Sequence, residues 1–344
     1  MAGGDDLTVA TLSLGDEGVQ VDETLDAVRK SVIAGDVEQF LATAGDLGDK
    51  SPLVYLMDWL HTWQQEYEAF VHVLGIQEGA GEEEEGQEQG DAEKDLEEME
   101  AEAEKLMTGF GKVATALLQR LGVKNPDTVV DRHGWTLLMQ AANSGLLELT
   151  EELIARKADV NYGGSATDTS NPLYLAVESE HSAVALLLLK NGAIESATKL
   201  VTTPSVGADA GDEDEDDDAE DDDCALFQAC RFGHISVIKE MLALGADVNF
   251  ALPSNGDRAL HVAVMFEMQE VVELLAGSNK IDLNALNEIG QTCLFGCSGL
   301  ELAKLLIAKG VDPKIKDVDG ETALSVAQAL GDDEVAEYLS TVTL

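Results

Sequence analysis

The sequence predicts an all-α solenoid of five to six helix–turn–helix repeats, preceded by an N-terminal helical hairpin. Residues 131–161, 224–249 and 317–339 follow all or part of one frame: a D-x-x-G-x-T turn, a helix of small residues, a Gly-centred turn and a Leu-rich helix. The period of about 33 residues is too long for a heptad and too short for a domain. With 45% hydrophobic and only 5% aromatic residues, the chain has the composition of a solenoid built from Ala and Leu.

Each predicted repeat is a pair of short helices that can bury its apolar face only by stacking on neighbours. Ala141 and Ala142 are small where the first helix must approach its partner closely. Gly145 lies where the helix ends and the chain needs a positive φ, and Thr136 can act as the N-cap of the helix before it. The frame, with its repeated Ala-Asp-Val-Asn, resembles the ankyrin repeat. The resemblance implies a protein-binding array.

The frame divides the C-terminal two thirds of the chain into six repeats. The first helix of the fifth repeat is expected to be short, because Leu300 follows almost directly on Cys297. The sixth repeat is polar on its outside, as a terminal cap should be. The six repeats span residues 131–163, 164–197, 224–250, 255–286, 287–316 and 317–344.

The sequence therefore predicts three segments of different structure. Residues 1–21 are predicted to be disordered, and residues 22–124 form a helical region with an acidic loop at about 77–95. Residues 125–344 form the repeat array, with a disordered acidic insert at about 199–223.

Within the helical region, residues 22–46 resemble a divergent helix pair of the same family, with Gly35 at its turn. Beyond it, two apolar stripes with helical spacing predict an antiparallel hairpin. The aromatic side chains of the first stripe indicate intramolecular core or, alternatively, a groove for a partner helix. The stripes are Leu53, Leu56, Leu60, Trp63, Tyr67, Phe70 and Leu74, and Leu96, Met99, Ala103, Leu106, Phe110, Val113 and Leu117.

The net charge is −46, from 21 Lys and Arg against 67 Asp and Glu. Much of it lies in residues 82–104 and 209–223, which cannot fold alone. These runs are either solubilising segments, the mark of a salt-adapted source, or mobile arms that attract a basic partner. We expect a basic protein, ribosomal-protein-like or histone-like, and no direct nucleic-acid binding, since phosphates would be repelled. The predicted acidic arm is Asp212, Glu213, Asp214, Glu215, Asp216, Asp217 and Asp218.

The resemblance implies that the turn tips and the exposed side of the first helices line a concave binding face. Phe232, Met265 and Phe266 fall where an exposed residue is expected, so they either anchor a partner or pack against the next repeat. The predicted partner-binding residues are Arg132, His133, Trp135, Gln140, Asn143, Leu175, Glu178, Gln228, Arg231, Phe232, Val262, Met265 and Phe266.

Catalytic and metal sites find little support in the sequence. His261 holds the family position at which the ring bonds a neighbouring loop, and His181 and His234 follow central turns, so all three are interpreted as structural. The cysteine spacings do not match those of zinc sites, so the cysteines are interpreted as small buried residues in a reducing compartment. We expect no catalytic residue, no metal and no cofactor.

The sequence therefore favours a non-catalytic interaction module, a chaperone or escort for a basic or aggregation-prone client. The alternative is a scaffold or regulatory subunit whose acidic runs only solubilise it; an enzyme with an ankyrin accessory is disfavoured. We expect a monomer in the cytoplasm, with the nucleus as a second location. No run of about 18 apolar residues predicts a membrane span, and the N-terminus lacks the features of a signal or transit peptide.

Overall fold

The computed structural model describes residues 23–43, 51–60, 63–64, 88–131, 134–164, 169–201 and 223–343. The chain divides into two compact units, residues 1–141 with 146–158, and residues 142–145 with 159–344. Within the described ranges, regular secondary structure is helical, and β-structure is limited to isolated bridges. The all-α prediction is confirmed.

The first unit begins with a helix pair whose turn is at Gly35. Helix α1 (Glu23–Ala34) and helix α2 (Val37–Thr43) pack on each other and on the long helix α4 (Glu88–Arg120). Asp36 accepts the N–H groups of Glu38 and Gln39, which caps α2. Gly35 has a φ of 65°, as the turn requires.

Residues 52–60 form helix α3, and residues 63 and 64 are also helical. The described members of the first stripe, Leu53, Leu56, Leu60 and Trp63, are buried, as are Leu106, Phe110, Val113 and Leu117 of the second. Both stripes therefore contribute to an intramolecular core. Tyr67, Phe70, Leu74 and the hairpin connection lie outside the described residues, and the side chains of Leu96 and Met99 are not described either.

The predicted acidic loop at 77–95 is partly wrong. Helix α4 begins at Glu88, so residues 88–95 are helical. Glu, Gln, Ala and Lys occupy five of these eight positions and have high helix propensity. The remainder of the predicted loop lies outside the described residues.

Repeat 1 consists of helix α5 (Leu137–Asn143) and helix α6 (Leu147–Ala155). Helix α4 packs against α6, and Arg156 donates to the carbonyl of Val123 at 3.4 Å. The N-terminal helical region thereby covers the start of the array within the first unit.

The second unit contains two layers of helices. The first helices of its repeats are α7 (Pro172–Glu178), α9 (Ala225–Arg231), α11 (Ala259–Met265) and α14 (Ala323–Leu330). The second helices are α8 (Ser182–Lys190), α10 (Ile235–Leu244), α12 (Gln269–Ala276), α13 (Leu300–Lys309) and α15 (Asp333–Thr343). First helices pack on first helices and second on second along the series.

Asparagines after the second helices tie successive repeats together. Asn249 Nδ2 donates to the carbonyl of Lys280 at 2.8 Å, and its Oδ1 accepts the N–H of Asp282 at 2.8 Å. Asn284 makes the same pair of bonds with Gly310 and Asp312, at 3.4 and 2.7 Å. Each Asn thus binds the loop of the next repeat, which explains why Asn recurs at this position.

Hairpin turns precede most first helices, and each is closed by an antiparallel bridge. The bridges are Val130–Thr136, Ala251–Arg258, Lys316–Thr322 and Val201–Asp223. The first three enclose short turns, whereas the fourth encloses residues 202–222, the acidic insert. The predicted insert boundaries of 199 and 223 need correction, because Lys199, Leu200, Val201 and Asp223 are described and the last two are bonded to each other. The insert thus connects the two bridged residues that precede the first helix of repeat 3.

The first helix of repeat 5 is shortened, as predicted. A 3₁₀ turn over Cys293–Gly296 replaces it. In the other five repeats the second helix begins ten positions after the first helix begins, for example Ala259 to Gln269, whereas in repeat 5 the interval is seven, from Cys293 to Leu300. The missing residues amount to about one helical turn.

The close contact between α1 and α4 generates a test in the first unit. A Cβ built on Gly109 would lie 1.9 Å from the carbonyl oxygen of Val32, whereas one on Gly111 meets only Leu146 Cδ2 at 3.9 Å. We expect Gly109→Ala to destabilise the unit by about 2 kcal/mol through overpacking. Gly111→Ala, the matched control, should leave stability unchanged or raise it by up to about 1 kcal/mol.

Urea unfolding followed by tryptophan fluorescence measures this difference, because Trp59, Trp63 and Trp135 all belong to the first unit. Equal unfolding midpoints for the two variants would contradict the proposed contact.

Candidate functional site

The predicted binding residues of repeat 1 are mostly unavailable. Arg132 and His133 lie outside the described residues. Trp135 is only 9% exposed, and Gln140 is fully buried and donates to Gln64 Oε1 at 2.6 Å. The outward orientation expected of Gln140 is therefore wrong, because a residue of the N-terminal region covers it. Asn143 is half-buried and accepts a hydrogen bond from Ser179 Oγ at 3.0 Å.

Three further predicted residues are buried in the second unit. Leu175, Gln228 and Val262 are at most 6% exposed, because each lies in a first helix that packs against its neighbours. They support the array and cannot contact a partner directly. The sequence frame identified the correct helices, but it did not identify which side of each helix is covered.

A polar network joins the first helices of repeats 2 and 3. Gln228 Nε2 donates to Asp223 Oδ2 at 2.7 Å and to the hydroxyl of Tyr174 at 3.1 Å. That hydroxyl donates to Glu178 Oε1 at 3.2 Å, so Glu178 is engaged within the array. Burial, the charge of Glu178 and the charge of Asp223 raise the pKa of Tyr174, which stays a neutral donor at physiological pH.

Asp223 is the residue at which the acidic insert returns to the fold. Its backbone pairs with Val201, and its carboxylate accepts the N–H of Cys224 at 2.7 Å and a bond from Arg231 Nη1 at 3.2 Å. Arg231 in turn places its guanidinium carbon 5.2 Å from the centre of the Phe266 ring. Since Arg231 is paired, its charge is largely balanced within the network.

Phe232, Met265 and Phe266 form the exposed set that we call the apolar patch. They are 44%, 59% and 41% exposed. Phe232 and Phe266 hold the same position, the residue after the first helix, in repeats 3 and 4. Of the two interpretations for these residues, exposure favours a partner anchor over packing against the next repeat. Arg231 links the patch to the base of the insert.

Sequence reasoning missed several other exposed apolar residues, and the three most exposed of them lie at hairpin tips and at one helix end. Ile289 and Val318 are 51% and 69% exposed in adjacent hairpin tips, where the N–H of Val318 bonds the carbonyl of Ile289 at 3.0 Å. Leu330, at the end of α14, is 72% exposed. An aliphatic residue inside a D-x-x-G-type turn was the signal in the sequence that could have identified the two tip residues.

The described histidines of the array have structural partners. His261 Nδ1 accepts the N–H of Arg258 at 3.3 Å, and Nε2 pairs with the carbonyl of Gln291 at 3.1 Å, as the resemblance implied. Burial lowers the pKa of His261 and that of His181. Both rings are therefore neutral at physiological pH. Through its bond with Gln291, the His261 side chain connects repeat 4 to repeat 5.

The four cysteines are buried free thiols. Burial raises the pKa of Cys224 and Cys293 to about 12 and that of Cys297 to about 11, and it also raises the pKa of Cys230. The protonated thiol is a poor metal ligand and nucleophile. Among the residues that the structure describes, no group of three His, Cys, Asp or Glu side chains is arranged to hold a metal ion.

No helix in the described ranges combines the length and the apolar character that a membrane crossing would need.

Comparisons with known proteins agree with this architecture. The family model described as ankyrin repeats, in three copies, matches residues 106–199 and 190–287, which together exceed half of the chain. A stretch of 196 residues, 53% of this chain, is 28% identical to the ankyrin repeat and KH domain-containing protein mask-1 of Caenorhabditis elegans, of which it covers 7%. A stretch of 113 residues, 32% of this chain, is 33% identical to the ankyrin repeat-containing protein P1E11.10 of Schizosaccharomyces pombe, covering 54% of it.

The matched region thus spans only part of the length of these curated relatives. Among solved structures, the ankyrin repeat domain of Bcl-3 aligns with 69% of this chain and 95% of its own, with a TM-score of 0.50 and 20% identity, a likeness that concerns the fold alone. The repeat frame, the stacked helix pairs and the family match lead to one conclusion. The chain belongs to the ankyrin-repeat family.

Proposed function

We propose that this protein is a non-catalytic escort or adaptor for a basic client protein. The client would lie on the first-helix face, the surface formed by the exposed sides and ends of α7, α9 and α11. Its apolar residues would contact the apolar patch, and the acidic insert would attract and screen its positive charge. Ankyrin repeats are protein-interaction modules, which supports the coarser part of this proposal.

The observation that carries the proposal is the position of the insert. Residues 202–222 contain eleven acidic residues, and they connect Val201 and Asp223, which form the bridge that precedes the first helix of repeat 3. Asp223 is bonded to Arg231, which lies over Phe266. The dense negative charge is therefore attached beside exposed aromatic side chains. A run that served only solubility would need no particular place on the array.

The remaining charge supports the same choice of partner. A net charge of −46 repels nucleic acid and other acidic proteins, and it accelerates encounters with basic ones. The four free cysteines fit a reducing compartment, and we place the protein in the cytoplasm.

Neutralising the insert tests the electrostatic part. We expect replacement of its eleven acidic residues by Asn and Gln, with Asp223 retained, to slow association with a labelled histone by about tenfold or more at low salt. The affinity of the wild type should fall steeply as salt rises, whereas the affinity of the variant should change little. Stopped-flow fluorescence and equilibrium titration measure both quantities.

A variant with the insert residues in scrambled order is the matched control, because it keeps the charge and changes the sequence. It should bind as the wild type does. An unchanged affinity in the neutralised variant at low salt would reject the escort role of the insert and favour the scaffold alternative.

Truncating the apolar patch tests the contact part. We expect Phe232→Ala together with Phe266→Ala to weaken client binding by about 2 kcal/mol for each ring that acts as a hot spot, with folding retained. Leu244→Ala is the control, because Leu244 is 44% exposed, as Phe232 is, but belongs to a second helix. Isothermal titration calorimetry gives the affinities, and circular dichroism checks the fold.

Loss of the folded state in the double variant would identify the rings as core. A folded double variant with wild-type affinity would remove the apolar patch from the binding surface.

A further inference from the structure

The shortened first helix of repeat 5 leaves a gap in the row of first helices. The 3₁₀ turn Cys293–Gly296 packs on α11 on one side and on α14 on the other, but it is about one helical turn too short to cover their ends. Neighbouring packed helices lie about 8–10 Å apart. Removing the end of the middle one opens a space comparable with the diameter of a helix. We call this space the repeat-5 notch.

Exposed apolar side chains flank the notch. Phe266 and Leu330 hold equivalent positions in repeats 4 and 6, each directly at the end of its first helix, and they are 41% and 72% exposed. Met265, beside Phe266, is 59% exposed. In an unbroken array a complete first helix of repeat 5 would lie between these residues.

The floor of the notch is open. Gly296 is exposed, and a Cβ built on it meets no atom within 4 Å. Beside it, Cys297 is buried at 5% exposure, and its thiol donates to the carbonyl of Gly299 at 3.4 Å. The notch therefore has a closed base of Cys297 and free space above Gly296.

The charges around the notch are negative. Burial raises the pKa of Cys297 most, and the carboxylates of Glu267 and Asp332 raise it further. Glu267 belongs to repeat 4 and Asp332 to repeat 6, so one acidic group lies on each side of the notch. Glu267 is exposed and accepts a hydrogen bond from Ser298 Oγ. An apolar space with a carboxylate on each side is complementary to apolar side chains flanked by cations.

We propose that the repeat-5 notch receives one turn of a basic amphipathic helix from the partner protein. Its aliphatic side chains pack on Met265, Phe266 and Leu330, and its Lys or Arg side chains pair with Glu267 and Asp332. The partner's turn replaces the turn that repeat 5 lacks. This inference deepens the proposed function and rests on it in taking the partner to be a basic protein.

A designed peptide provides a direct test with the full chain. The probe is a fluorescein-labelled, Ala-based helix of about four turns, with two Leu residues four positions apart and Lys on either side of them. We expect saturable binding by fluorescence anisotropy. Gly296→Trp, which fills the notch from its floor, should raise the Kd by about tenfold or more, as should Leu330→Ser. Leu244→Ser, the control at a residue that is 44% exposed on a second helix, should leave the Kd unchanged.

Thermal unfolding checks that the variants are folded; should Gly296→Trp fail to fold, Leu330→Ser carries the test, because its side chain is 72% exposed. Absence of saturable peptide binding, or equal Kd values for wild type and the notch variants, overturns the proposal.

Parallel titrations with the histone separate this inference from the proposed function. Loss of histone binding on neutralising residues 202–222, with no effect of Gly296→Trp on either ligand, would reject the notch and keep the escort function. In the opposite case, Gly296→Trp abolishes peptide binding, whereas neutralising the insert leaves histone binding unchanged. That result would keep the notch and reject the electrostatic role of the insert.

Discussion

The structure depends on one small side chain in each repeat. The fifth position of every first helix is Ala, as in Ala176, Ala229 and Ala263, which are fully buried, and Cys297 holds that position in the shortened repeat 5. A larger side chain there would hold neighbouring repeats apart, at a cost of about 1–3 kcal/mol. Because no helix pair buries its apolar face alone, the array forms only when neighbouring first helices pack closely at this position. The position also explains why a thiol with no catalytic partner occurs at residue 297.

Nearest-neighbour stacking also explains where the chain departs from its frame. Each repeat contacts only the repeats beside it, so a change in one hairpin tip or at one helix end does not alter the rest of the array. The insert is accommodated because Val201 and Asp223 close the bridge beneath it, as Ala251 and Arg258 do in the next repeat. Repeat 5 remains part of the array without that turn, because its second helix, α13, still packs between α12 and α15. Both departures occur beside the first-helix face.

Periodicity predicted the layers of the fold but not the exposure of single residues. The frame located the first and second helices and the short repeat 5, since these follow from local spacing, and the family resemblance implied that His261 bonds a neighbouring loop. It could not reveal that Gln64 covers Gln140, because that contact joins positions 76 residues apart through a helix that the frame does not include. It also could not show that Asp223 belongs to the fold, since an Asp at the end of an acidic run differs from its neighbours only through Gln228 and Arg231.

The net charge connects binding to stability. A chain with a charge of −46 repels itself when compact, so added salt should stabilise the free protein. The proposed basic client would relieve the same repulsion and stabilise the folded array by mass action. Salt should therefore stabilise the free protein and weaken the proposed complex, because screening would replace part of the stabilisation that the client supplies. A solubilising function for the acidic runs predicts the first effect alone, whereas the proposed escort function predicts both.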